Sequence, residues 1–302
     1  MKAARVNAYG EVDVISYDEV PKPSAGQGEV LVKVEASGLN PVDNYVRKGA
    51  FAQMVPMTFP YVPSLDLAGT VEAVGAGVSA FKAGDRVIGK VAISGPGASQ
   101  EYVVVQPGQL AKINASVSFE AGATLPLAGL TARQAVAMIG PKKGDRILVT
   151  GALGAVGRAA LQYLKELGAV PVAAVRAERK AEAEKLGFEA IVLDGSASGR
   201  DFVGAFNTVG GDEVLKAAAL VKDGGKVISA LQPPDEAKAD KRVHISNFMA
   251  KDETVMLRQI ADAANRGDLA IPVAKTFKLA KLAEAHTFLA NGHVGGKIII
   301  VP

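Results

Sequence analysis

No cysteine occurs in the 302 residues, which excludes disulfides and thiolate metal sites outright. Only three histidines are present, His244, His286 and His293, and their scatter suits surface or structural roles better than metal ligation. No stretch approaches the roughly 18 apolar residues of a spanning helix, and the opening MKAARVNAYGEVDV has no apolar core ahead of a cleavage site. A soluble, cytoplasmic protein is therefore expected rather than a membrane or secreted one, although the missing cysteines themselves suit any compartment. An excess of one charge sign is lacking too. The formal net charge of +3 is too mild to recruit nucleic acid. What the chain does have is length for two domains and 49% hydrophobic content for their cores.

Short β-like runs separated by Gly and Pro fill the first hundred or so residues, among them GEVLVKVEASG, AGTVEAVG and GDRVIGKVA. Such punctuation suits a compact, irregular β-barrel. From about residue 119 the period changes. An apolar strand, RILVTGA, leads into a helical pattern, GRAALQYLKELG, which Gly168 ends. PVAAV, a helix over ERKAEAEKLG and strands near EAIVL, DFVGAF, GKVISAL and RVHISNF follow. This alternation predicts an α/β fold with a parallel sheet covered on both faces. The last 35 or so residues return to strand, helix and strand. Asp235–Arg242, DEAKADKR, reads as a charged, solvated loop.

The segment VTGALGAVG (149–157) resembles a dinucleotide turn with its first glycine displaced. In the frame G-x-G-x-x-G the first position is Ala152 and the displaced glycine is Gly151. Gly154 would let the backbone approach a pyrophosphate, and Gly157 would let the helix pack on the strand. Gly151, Ala152, Leu153, Gly154, Ala155 and Val156 are thus candidate cofactor contacts, since unpaired N–H groups at a helix start favour an anion. Glycine spacing alone is weak, but here a strand precedes and a helix follows. NAD sites place an acid about 20 residues on, at the end of the next strand. Here that strand ends at Val175, and Arg176, Arg179 and Lys180 follow, with Glu178 among them. Two charge-assisted bonds of about 1.5–3 kcal/mol each favour NADPH over NADH by about a hundredfold or more. NADPH is the expected cofactor.

GDRILVTGALGAVGRAALQYLKELGA (144–169) resembles the nucleotide-binding signature of the zinc-independent quinone oxidoreductases, the zeta-crystallin-like branch of the medium-chain dehydrogenase/reductases. It departs at Leu153 and Ala155. The segments GLNPVDNYVRKGAF, FPYVPSLDLAGTVEAVGAGVSAFKAGDRVIG, LPLAGLTARQAV and GHVGGKIIIVP extend the resemblance along nearly the whole chain. It implies a Rossmann doubly wound parallel-sheet domain, 119–267, and a GroES-like β-barrel domain, 1–118 with 268–302. It also implies the absence of zinc. The catalytic cysteine of zinc-dependent relatives is Asn40 here, and their His-Glu pair is Leu65 and Asp66.

The same resemblance assigns further positions. Tyr45 matches a tyrosine that contacts substrate, and its hydroxyl either donates to a developing oxyanion or tips a packing aromatic. Asn40 could donate to the cofactor or to a substrate carbonyl. The second family tyrosine is Phe51, and Asn40, Tyr45, Phe51 and Asp66 make the implied substrate pocket. Asp43 and Arg47 read as a structural pair. Thr131, Asn207, Val209, Ser229, Leu231, Phe248 and Lys297 are implied cofactor contacts, with an aspartate of the family replaced at Asn207. The implied reaction is reduction of quinones, or of the C=C bond of α,β-unsaturated carbonyls, by NADPH without a metal. A non-catalytic NADPH-binding role, crystallin-like or RNA-associated, is the alternative. RVHISNF reads as an open sheet edge suited to a homodimer, with a tetramer left open.

Overall fold

The computed structural model describes residues 1–197, 199–292 and 295–302. The chain opens with strands β1 (Lys2–Val6), β2 (Ile15–Glu19) and β3 (Val30–Leu39) and helix α1 (Pro41–Arg47). Strands β4 (Asp66–Val74), β5 (Arg86–Lys90), β6 (Tyr102–Val105) and β7 (Leu110–Lys112) come next, then helices α2 (Phe119–Ala123) and α3 (Pro126–Ile139). Alternation begins with β8 (Arg146–Thr150), α4 (Ala155–Glu166), β9 (Val170–Val175), α5 (Lys180–Lys185) and β10 (Glu189–Val192). It continues through β11 (Phe202–Asn207), α6 (Glu213–Leu220), β12 (Val221–Ser229) and β13 (His244–Asn247). The chain closes with α7 (Thr254–Arg266), β14 (Val273–Lys278), α8 (Leu282–Ala290) and β15 (Lys297–Val301).

Two compact units result, Met1–Leu127 with Asp252–Pro302 and Ala128–Lys251. Boundaries expected at 118/119 and 267/268 therefore fall at 127/128 and 251/252. The reason at the second boundary is that α7 groups with β7. Asn114 N–H donates to Asn265 Oδ1 at 2.9 Å, and Thr254 Oγ1 donates to the Gly108 carbonyl at 2.8 Å.

The first unit carries a seven-stranded sheet ordered β14-β15-β3-β4-β5-β7, with β6 also on β3, and a separate β1–β2 pair. Its pairings are antiparallel except β14 with β15. Val30, Val32, Val34, Leu67, Val71 and Val87 form one core there. Alternation along β3 and β4 points these side chains to one face.

The second unit is a six-stranded sheet, β10-β9-β8-β11-β12-β13, parallel at every pairing. Ile147, Leu148 and Val149 of β8 are fully buried, as strands covered on both faces must be. Strand order reverses between β8 and β11, and ligands of open α/β sheets bind outside such a switch point. Helix α4 buries Gly157, Ala159, Ala160, Leu161 and Leu164, one helical stripe, and ends before Gly168 at a φ of 75°. Between β10 and β11 the described residues carry no helix, in keeping with the short connector. The 235–242 segment is not a plain loop. Its Asp235–Ala239 part is a 3-10 helix that buries Ala237, and Arg242 binds the carbonyls of Ala218 and Val221. Among the described residues no helix is long and apolar enough to cross a membrane.

Candidate active site

Strand β8 ends at Thr150, and the chain turns through 151–154 into α4 with Gly154 at the N-cap. Gly151 has a φ of 59°, the left-handed region where a Cβ costs about 1–2 kcal/mol. A Cβ at Gly151 would also lie 2.3 Å from Thr208 Oγ1. The displaced glycine is thus the one this turn requires. At Gly157 a Cβ would lie 2.3 Å from the Gly151 carbonyl oxygen and 2.7 Å from Ala152 Cα, so α4 rests directly on the turn. Gly154, with φ −78° and ψ 172°, is ordinary extended backbone. Ala152 and Leu153 are buried, whereas Gly154, Ala155 and Val156 are half-buried around the start of the helix.

The neighbouring strand ends are joined by one hydrogen-bonded rim. Thr150 Oγ1 donates to Asn207 Oδ1 at 2.6 Å, and Asn207 Nδ2 donates to the Val209 carbonyl at 2.7 Å and to Ser229 Oγ at 3.0 Å. Leu231 N–H reaches Ser229 Oγ at 3.3 Å, and Phe248 N–H reaches the Ser229 carbonyl at 3.3 Å. Asn207 uses both donor and acceptor here, which an aspartate cannot do when ionised. Of the implied cofactor contacts, the turn, Asn207, Val209, Ser229, Leu231 and Phe248 come together on this rim. Thr131 lies half-buried on α3.

Cations do gather after β9, yet each has an acidic partner. Arg176 is exposed and meets Glu178 at 3.1 Å. Arg179 makes a forked contact to Glu182 at 2.7–2.9 Å, and Lys180 stands 4.0 Å from Glu184. Arg158, which motif reading passes over, also binds Glu182 at 2.7 Å.

In the first unit α1 begins with a reciprocal cap. Asn40 N–H donates to Asp43 Oδ2 at 2.7 Å, and Pro41 occupies the first helical turn. Asp43 Oδ1 accepts from Ser64 N–H at 3.2 Å. Ser64 is held at a φ of 73°, and its hydroxyl meets that of Ser99 at 2.7 Å. Burial pushes the Asp43 carboxyl up to about 7, with Asp66 adding to the rise; the Asn40 and Ser64 N–H groups and Lys297 pull the other way. The expected Asp43–Arg47 pair does not form. Arg47 turns instead to the Gly10 carbonyl, to Asn44 Oδ1 at 3.3 Å and toward Glu11 at 4.0 Å.

Beside this cap lies a buried ion pair. Lys297 Nζ donates to Asp66 Oδ2 at 2.8 Å and to Asn40 Oδ1; the two charged side chains are 4% and 0% exposed. Asp66 also accepts from Leu127 N–H at 2.8 Å and Asn40 Nδ2 at 3.0 Å. Gly38 makes the room, since a Cβ there would lie 3.1 Å from Lys297 Cε and 2.3 Å from the Ala123 carbonyl oxygen. Asn40 spends its remaining donor capacity on the Gly38 carbonyl at 3.3 Å. Its amide is therefore saturated inside the unit, and Lys297 is an internal counter-ion. Both Asn40 amide N–H groups are thus engaged, while Lys297 uses two of its three ammonium donors on these contacts.

Tyr45, by contrast, is 46% exposed on α1, with Phe51 edge-on at 6.3 Å between centroids. Among the expected pocket residues it alone presents a hydroxyl outward. His286 is buried against Asn44, 2.7 Å from Nδ1 to Oδ1, and burial depresses its pKa to about 3. His244 is exposed on β13, and His293 lies outside the described residues.

The chain matches a family model described as the alcohol dehydrogenase GroES-like domain over residues 26–115 and one described as zinc-binding dehydrogenase over residues 167–300. It is 31% identical to the chloroplast envelope quinone oxidoreductase homolog of Arabidopsis thaliana, across 100% of this chain and 98% of that protein. To the chloroplastic NADPH-dependent alkenal/one oxidoreductase of the same plant it is 30% identical, across 100% and 80%. The solved quinone oxidoreductase from Coxiella burnetii superposes with a TM-score of 0.88 at 26% identity, covering 100% of this chain and 99% of that one. The second family description implies zinc, and the residues present do not fit it. There is no cysteine, and among the described residues no three His, Asp or Glu side chains could share an ion. The Lys297 ammonium already neutralises Asp66. With its switch-point turn, its parallel sheet and a likeness running end to end, the chain belongs to the quinone oxidoreductase family of the medium-chain dehydrogenase/reductase superfamily.

Proposed function

We propose that this reductase uses NADPH to reduce quinones, or the conjugated C=C bond of α,β-unsaturated carbonyls, without a metal ion. The observation that carries the cofactor is the Gly151–Gly157 cradle, whose close approaches leave no room for a side chain, with exposed Arg176 at the end of β9. The turn's N–H groups and the start of α4 suit a pyrophosphate, and Arg176 suits a 2′-phosphate. Bound there, NADPH supplies the hydride. The rim of Asn207, Ser229 and Leu231 fixes the strand ends against which the nucleotide lies.

Acceptor chemistry follows from what the protein offers. Addition to a conjugated system spreads negative charge onto a distant oxygen, which needs a donor rather than a Lewis acid. Tyr45 supplies that donor in this reading, Phe51 an apolar wall, and Asn40, Asp66 and Lys297 hold the start of α1 in place. The proton comes from water. The exposed edge strand β13 suits pairing with a second copy.

The test follows NADPH and NADH absorbance with a small quinone and with an alkenal, with and without a chelator. NADPH-preferring turnover that survives chelation is expected. Loss of turnover on chelation overturns the metal-free chemistry, and tight NADPH binding without turnover on either acceptor restores the non-catalytic alternative.

A further inference from the structure

The phosphate turn and the segment after β9 are joined by a residue that neither motif includes. Arg158 sits in the first turn of α4, one position beyond Gly157. Its Nε donates to the Leu153 carbonyl, inside the turn, at 3.0 Å, and its Nη2 donates to Glu182 Oε1 at 2.7 Å. The side chain is only 13% exposed. Glu182 simultaneously takes the forked contact from Arg179. The Arg179 guanidinium, with Arg158 beside it, holds the Glu182 carboxyl below the usual carboxylate range. One carboxylate thus sets two guanidinium groups side by side. A guanidinium carries five N–H donors. Among the described residues, Nη1 of both arginines has no hydrogen-bond partner within the protein. Two such forked groups with donors to spare match a phosphate monoester, which accepts on several oxygens at once.

We propose that Arg158 is a specificity-determining ligand of the adenosine 2′-phosphate, acting with Arg176, and that Glu182 is the positioning residue that aims Arg158 and Arg179. The inference rests on the NADPH reading above. It adds that selectivity is built partly from the turn itself, through the Leu153 carbonyl, and not only from the cations following β9. A neighbouring acid would ordinarily weaken an anion site. Here it fixes two long side chains beforehand, so less side-chain freedom is lost when phosphate binds.

The experiment measures affinity for adenosine 2′,5′-bisphosphate and adenosine 5′-monophosphate by calorimetry, in wild type and in Arg158→Met, Glu182→Gln and Arg176→Ala. Wild type should prefer the bisphosphate. Arg158→Met should weaken the bisphosphate about tenfold or more, with the monophosphate held within about twofold. Glu182→Gln keeps one acceptor oxygen and should weaken the bisphosphate in the same direction by a smaller factor. Equal loss for both nucleotides in Arg158→Met would reduce Arg158 to a clip on the turn and overturn the inference. Tighter bisphosphate binding in Glu182→Gln would make the carboxylate a competitor and overturn its positioning role. No preference for the bisphosphate in wild type would instead sink the NADPH reading itself, so the two failures are distinguishable.

Discussion

Replacing Lys297 by Met removes the ammonium from a carboxylate that is 0% exposed while sparing most of the buried alkyl volume. Asp66 would keep the Leu127 N–H at 2.8 Å and the Asn40 amide at 3.0 Å. Removing one partner of a buried pair costs about 3–5 kcal/mol, because the other charge is left without compensation. Urea unfolding followed by tyrosine fluorescence reports the correct unit. Five of the six tyrosines, Tyr9, Tyr17, Tyr45, Tyr61 and Tyr102, lie in the first unit. The expected result is a destabilisation of about 3 kcal/mol or more, much of it recovered when Asp66→Asn is added, because the uncompensated charge is then gone. A cost below about 1 kcal/mol, the ceiling for exposed pairs, or no recovery in the double variant, would refute the buried pair.

Three further outcomes are open to measurement. Asp43, with its folded pKa raised to about 7, favours the fold fully below the ordinary carboxylate range and loses that contribution as pH rises through 7. His286, depressed to about 3, favours the fold above its ordinary range near 6.5 and loses that contribution as pH falls. The two slopes oppose one another between about pH 4 and 6.5. Asp43→Asn should therefore gain on wild type by about 1.4 kcal/mol per pH unit across pH 4–7, read from urea curves; a constant difference would contradict the raised pKa. Gly157→Ala places a Cβ 2.3 Å from a backbone oxygen that cannot swing aside. Overpacking of about 1–3 kcal/mol should weaken NADPH about 10–100-fold in a fluorescence titration, and unchanged affinity would rule out the cradle. Tyr45→Phe should lower kcat by about 10²–10³ if the hydroxyl meets the developing oxyanion, with NADPH affinity preserved. Unchanged kcat would leave Tyr45 as packing alone.

Local features were legible where a short-range pattern dictated them. The apolar run of β8, the stripe of α4 and Gly168 at its end follow from periodicity and backbone sterics. Gly151 also stood out, though only the structure shows that its positive φ makes the displacement necessary. Helix α6, EVLKAAAL, runs straight into β12 without a stop signal, so the strand's start was hidden. The Asp43 cap on Asn40 was readable from its three-residue spacing, yet Arg47, four residues on, offered a competing partner that tertiary structure sends to Gly10. Glu182, three residues after Arg179, carried a readable helical-pair signal as well. Nothing local could reveal the Asp66–Lys297 pair. Its members stand 231 positions apart, and the pairing depends on β15 adding beside β3.

The most direct test of the central claim compares kcat/KM for NADPH and NADH in wild type and Arg176→Ala, with one quinone acceptor and a chelator present throughout. Wild type should favour NADPH. The variant should lose about 10–100-fold with NADPH while NADH turnover stays within about twofold. Equal loss with both coenzymes, or an unaltered preference, would contradict a 2′-phosphate contact at Arg176.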